Sequence, residues 1–138
     1  MTQKNTEKPF SDVLAAIFTN TTVPIYELYR LSDMSAAETA EFQTRWPEVD
    51  DERRRVIARH MADLTEENFA VDFAPVFGFM LDDPAAPVRL AALDGMWDTT
   101  NTRLIEPIVH MLQQDDSVEV RAAAAATLAA PLMCQYKV

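Results

Sequence analysis

Glycine is nearly absent: two residues in 138, beside one cysteine and two histidines. Two glycines cannot build a phosphate-cradling loop, a Gly-x-Ser-x-Gly elbow or an EF-hand, and they disfavour turn-dense β architectures. Cys134, the only cysteine, excludes an intramolecular disulfide framework and any Cys-x-x-Cys zinc motif, which fits a reducing, cytoplasmic setting. His60 and His110 stand far apart with no metal-ligating partner one helical turn away, so both read as ordinary surface or half-buried side chains. No apolar run approaches the length of a membrane span, and the stretch from Met1 to Pro9 lacks the apolar segment of a signal peptide. The expectation is a soluble chain with no cofactor, no metal and no membrane partner.

Positive charge is also scarce. Twelve Lys and Arg face twenty-two Asp and Glu, a net charge of −10 shared by both halves of the chain. Phosphate backbones and anionic lipid surfaces are bound through Lys and Arg, so nucleic acid and membranes are poor partners for such a surface. Arg53, Arg54, Arg55 and Arg59 form the one dense basic cluster, but Asp50, Asp51, Glu52, Asp63, Glu66 and Glu67 surround it, and pairing within the chain is its expected role. The acidic clusters Asp50-Asp51-Glu52, Asp82-Asp83 and Asp115-Asp116 fall at helix starts or turns. Capping and the helix dipole explain them there without catalysis.

The residues present in quantity are helix formers, and the apolar spacing predicts about eight helices joined by short turns, with no strand. Residues 1–9 read as a disordered lead-in. Ser11 is placed to cap a first helix carrying Val13, Leu14, Ile17 and Phe18. Pro24 starts a second with Ile25, Leu28, Tyr29 and Leu31, and Ser35-Ala-Ala-Glu38 is a capping box for a third. A fourth follows Asp50 with Val56, Ile57, Met61 and Leu64 as its buried stripe. Asp72 caps a fifth, running through Leu81. Three more are expected from about Pro87 to Asp98, Arg103 to Leu112 and Ser117 to Ala129. Trp46, Tyr26, Tyr29, Phe73, Phe77 and Phe79 are assigned mostly to the core.

A shift of 32 residues aligns Phe73-Ala-Pro75-Val76 with Ile105-Glu-Pro107-Ile108 and Asp83 with Asp115. Val88-Arg89 then falls on Val120-Arg121, and Ala91-Ala92 on Ala123-Ala124, without a gap. A weaker copy lies 35 residues upstream of the first, where Arg54, Val56, Ile57 and Met61 match Arg89, Ala91, Ala92 and Met96, but Arg53 stands in place of the valine. The run from Asp83 to Ala92 and that from Asp115 to Ala124 resemble the Asp-x-x-x-x-Val-Arg-x-x-Ala signature of HEAT repeats. The resemblance is strong over residues 72–130 and moderate over 35–64; over 10–31 only helix spacing supports it.

That resemblance implies an all-α, right-handed α-solenoid of antiparallel helix pairs occupying residues 10–130, clearest at 72–101 and 104–130, followed by a tail at 131–138. It also implies a scaffold for other macromolecules rather than an enzyme. Asp83, Arg89, Asp115 and Arg121 are assigned to a structural ladder of partly exposed rungs, each contributing about 1 kcal/mol or less. The last helix is apolar nearly all round, so it calls for a cover: further repeats, the tail folded back, or a homodimer through this face. Trp97, Leu128, Leu132 and Met133 are the candidate contacts for an unidentified protein partner at that end. Similar short proteins include the HEAT-like subunits of phycobilin lyases, which act on tetrapyrrole-carrying proteins, and HEAT-like DNA glycosylases. Those two resemblances supply the alternative functions.

Overall fold

The computed structural model describes residues 8–68, 70–96 and 101–129. Among the described residues the fold is all-α, with no strand. Seven α-helices follow one another among the described residues: α1 (Phe10–Thr19), α2 (Ala36–Arg45), α3 (Asp51–Glu67), α4 (Ala74–Met80), α5 (Ala86–Asp94), α6 (Ile105–Gln114) and α7 (Val118–Thr127). Short 3₁₀ segments lie at Ile25–Leu31, Trp46–Glu48 and Thr102–Leu104. Most of the expected lead-in, the expected tail and the end of the helix expected to reach Asp98 fall outside the described residues.

Two helix starts show how local chemistry sets the boundaries. The Ser35 hydroxyl accepts from the Glu38 amide while the Glu38 carboxylate accepts from the Ser35 amide, both at 3.1 Å, which closes a capping box on α2. The Asp50 carboxylate accepts from the amides of Glu52 and Arg53 and so caps α3.

Several expectations change. The first helix starts on Pro9 rather than Ser11, because the Pro9 carbonyl accepts the Asp12 and Val13 amides and Phe10 is already helical and buried. Ser11 is exposed inside the first turn. The second expected helix is a seven-residue 3₁₀ segment. Its buried side chains include Leu28 and Leu31, three apart, a spacing that eclipses in a 3₁₀ helix and places both on one side. Tyr26, assigned to the core from sequence, is 74% exposed.

Packing follows the repeat. α4 packs on α5 and α6 packs on α7, while α3, α5 and α7 lie in contact one after the next. Val88, Ala91 and Ala92 of α5, and Val120 and Ala124 of α7, are buried at these contacts. Their small size allows close approach of neighbouring helices. α1 closes the first side of this row by packing against α2 and α3, and Phe18, Phe42, Trp46 and Phe79 form a chain of ring contacts there, with centroids 5.2–6.2 Å apart.

The two glycines differ in what surrounds them. Gly95, just after α5, has an ordinary φ of −76°, yet a Cβ there would stand 2.4 Å from Cζ of the fully buried Phe77 ring. Gly78, inside α4, would place a Cβ no nearer than 3.6 Å to a Leu104 methyl. Gly95→Ala is therefore expected to destabilise by about 1–3 kcal/mol through overpacking. Gly78→Ala should stabilise by roughly 0.5–1 kcal/mol through helix propensity. Urea denaturation of both variants checks the opposite signs.

Candidate functional site

The turn aspartates and helix-start arginines are built alike in successive repeats. Asp83 follows α4, and its Oδ1 accepts the Ala85 amide at 2.9 Å; Asp115 follows α6, and its Oδ1 accepts the Ser117 amide at the same distance. Each carboxylate is thereby fixed by its own turn, two residues ahead of it. Each then meets the arginine of the preceding inner helix. Arg54 of α3 donates through Nε and Nη2 to Asp83 at 3.0 and 3.1 Å, and Arg89 of α5 donates through the same two nitrogens to Asp115 at 2.9 Å each. These are bidentate, charge-assisted pairs.

The remaining guanidinium nitrogen ties each arginine to its own repeat. Arg89 Nη1 donates to the Asp83 carbonyl at 2.8 Å, and Arg121 Nη1 donates to the Asp115 carbonyl at 2.6 Å. Arg54 Nη1 bonds the Val49 carbonyl in the same way. Thus Asp83 and Arg89 are joined through the main chain, while the ion pairs run Arg54 to Asp83 and Arg89 to Asp115. Arg121 holds only the carbonyl bond and meets no carboxylate among the described residues.

The first rung is buried, and the second is half-buried. Side-chain exposure is 4% for Arg54 and 1% for Asp83, then 13% for Arg89 and 7% for Asp115. The first rung carries an extra bond, because the Trp46 indole Nε1 donates to Asp83 Oδ2 at 2.8 Å. Burial opposes the charge on Arg54, but Asp83 and then Asp51 outweigh it and hold its pKa above the ordinary value. Arg89 is raised chiefly by its hydrogen bonds to Asp115, against the effect of burial. On Asp115, burial pushes the pKa up; the Arg89 bonds and the Ser117 amide outweigh it and leave the carboxyl below its ordinary value.

Arg54 and Trp46 were not singled out as ladder members from sequence. For Arg54 the signal existed in the weaker repeat copy, whereas nothing in the sequence pairs Trp46 with Asp83. Arg53, the departure from the repeat's valine, donates through Nε and Nη2 to the Ile17 carbonyl at 3.0 and 2.8 Å and ties α3 to the C-terminal turn of α1. Arg55 pairs with Glu52 and Arg59 with Asp94, so the basic cluster is partnered within the chain but not by Asp63, Glu66 or Glu67.

Of the candidate partner contacts, Leu128 is buried in the core, and Trp97, Leu132 and Met133 lie outside the described residues. The exposed part of the C-terminal edge is Val118, 68% exposed, with Ala122, Ala125, Ala126 and Ala129. A cleft of about 200 Å³ opens beside the first rung between Trp46, Pro47, Phe79 and Pro84, but Arg54 and Asp83, which also line it, are bonded to each other. Among the described residues no group of three or more His, Cys, Asp or Glu could hold a metal ion, and no helix is long and apolar enough to cross a membrane.

Residues 104–130, which contain α6, α7, Asp115 and Arg121, match the HEAT repeat family. No curated protein and no solved structure matches the chain.

Replacing Asp115 with Asn at neutral pH is expected to cost about 2 kcal/mol, the scale of a lost charged hydrogen bond. Asp83→Asn should cost more, about 3 kcal/mol or above, because it leaves the deeper Arg54 with only the exposed Asp51 as a carboxylate partner. The Asp115 carboxyl is depressed in the folded state, so its stabilisation is fully present above the ordinary value of 3.8 and is lost as pH falls through the folded value. Denaturation curves of the parent and Asp115→Asn chains should therefore differ at pH 7 and converge on acidification below pH 3.8.

Proposed function

We infer that this protein, built around a HEAT repeat, is a non-enzymatic scaffold that binds a protein partner along its row of inner helices and at the open edge of α7. The observation that carries this reading is the unequal treatment of the two ends. At the first end, α1 packs over α2 and α3, and Arg53 fastens it to α3. At the other, Val118 and the alanines at 122, 125 and 126 stand exposed on one helix. Exposed apolar side chains grouped on one element mark interaction surfaces, and the other such group, Ile25, Tyr26 and Tyr29, lies on the 3₁₀ segment Ile25–Leu31.

The ladder supports the same reading from the energetic side. Its charged groups are committed to holding successive helices in register: Asp83, Arg89 and Asp115 line a cleft with His110, but each is already bonded within the ladder. Shape and a largely acidic surface remain as the means of recognition. Such a surface favours partners with basic or neutral contact faces and repels polyanions.

Ala125→Glu tests the edge directly. Ala125 is exposed, so the variant should unfold within about 0.5 kcal/mol of the parent. Affinity capture with tagged full-length chain should recover a partner with the parent and lose it with the variant. An unchanged set of captured proteins would move the binding surface away from α7.

A further inference from the structure

Arg54, Arg89 and Arg121 occupy one position in three successive inner helices, and the residue four places on reports what lies against that helix. Ala58, after Arg54, is fully buried, and Leu93, after Arg89, is 1% exposed. Ala125, after Arg121, is exposed. α7 passes α5 at this level, since the Thr127 hydroxyl donates to the Leu93 carbonyl at 3.5 Å. The position buried on α3 and on α5, each of which is followed by a further inner helix, is therefore bare on α7.

The polar half of the same comparison points to what would cover it. Arg121 keeps the carbonyl bond of the series, at 2.6 Å to Asp115, so its guanidinium is anchored at Nη1 as that of Arg89 is. In the two complete steps, the other two nitrogens hold a carboxylate that sits in the turn of the incoming hairpin and is bonded to that turn's own amide. On Arg121 they meet none among the described residues. Residues 130–138 contain neither Asp nor Glu, so that stretch brings no acidic side chain to Arg121. A second copy of the chain brings Asp83 and Asp115 already bonded to Arg54 and Arg89.

We propose that the edge formed by Arg121, Val118, Ala122 and Ala125 docks a helical hairpin of a partner protein that carries an aspartate in the turn between its two helices. The aspartate bonds Nε and Nη2 of Arg121, and the second helix of that hairpin lies along Val118, Ala122 and Ala125. The docking continues the ladder by one rung across a protein–protein contact. It rests on the scaffold reading above and adds the chemistry of the partner.

The probe is a synthetic hairpin with the sequence of residues 72–96, the segment that docks on α3 through Asp83, closed by an added disulfide and shown to be helical by circular dichroism. Calorimetric titration into the full-length chain should show binding. Asp83→Asn in the hairpin, or Arg121→Gln in a chain shown to melt normally, should each weaken it about tenfold, and the two together no further. A folded hairpin that does not bind, or whose binding ignores both changes, overturns the proposal. Binding lost on Ala125→Glu but kept on Arg121→Gln leaves the open edge as a docking surface and removes the aspartate. Conversely, Arg121-dependent hairpin binding alongside partner capture that ignores Ala125→Glu keeps the docking chemistry and removes the scaffold reading.

Discussion

The buried arginine–aspartate pair between one inner helix and the turn of the next repeat is the constraint on which the rest of this structure depends. Its aspartate is held by its own turn, and its arginine is held by a carbonyl of its own repeat. Both partners are thus oriented before they meet. That preorganisation makes the pair a register pin: sliding one hairpin against the next by a single residue would place two charges in apolar surroundings without partners.

Such a pair contributes less to net stability than its geometry suggests. Taking both ions out of water offsets much of their attraction, and well-packed apolar residues of similar volume would often serve stability as well. The alanine and valine contacts of α5 and α7 supply cohesion without direction, because small apolar faces fit one another in several registers. The ladder removes that freedom. Trp46 strengthens the first rung by joining Asp83 to the aromatic cluster beneath α1, so the charged row and the apolar core meet at one carboxylate.

The two ends of the row receive opposite treatment from closely related residues. Where the repeat has valine in α5 and α7, α3 has Arg53, and this side chain reaches the last turn of α1 and fastens a helix across the start of the stack. At α7 the pattern of the repeat persists unchanged, down to the carbonyl bond of Arg121, with exposed alanine in place of a covered one. A repeat altered at one end closes the stack there; a repeat left unaltered at the other keeps the geometry that its neighbours use to receive a hairpin.

The periodic features were legible in the sequence because they recur: the 32-residue shift exposed both turn aspartates, both helix-start arginines and the small residues between them, and the capping box at Ser35 needs only local chemistry. Direction was not legible. An aspartate stands six residues before the arginine in both clear copies, so sequence alone leaves open whether an arginine bonds its own aspartate or the next, and only packing of α5 against α3 and α7 decides it. The depth of the rungs, the Trp46 bond and the role of Arg53 arise between segments 26 to 37 residues apart, distances over which no local preference acts. The sequence by itself determined an all-helical repeat and its period, since helix propensity and apolar spacing are local. The tertiary structure alone decided which charges are buried, which partners they take and which helix edge stays open, because burial and pairing belong to surfaces that exist only once the helices are stacked.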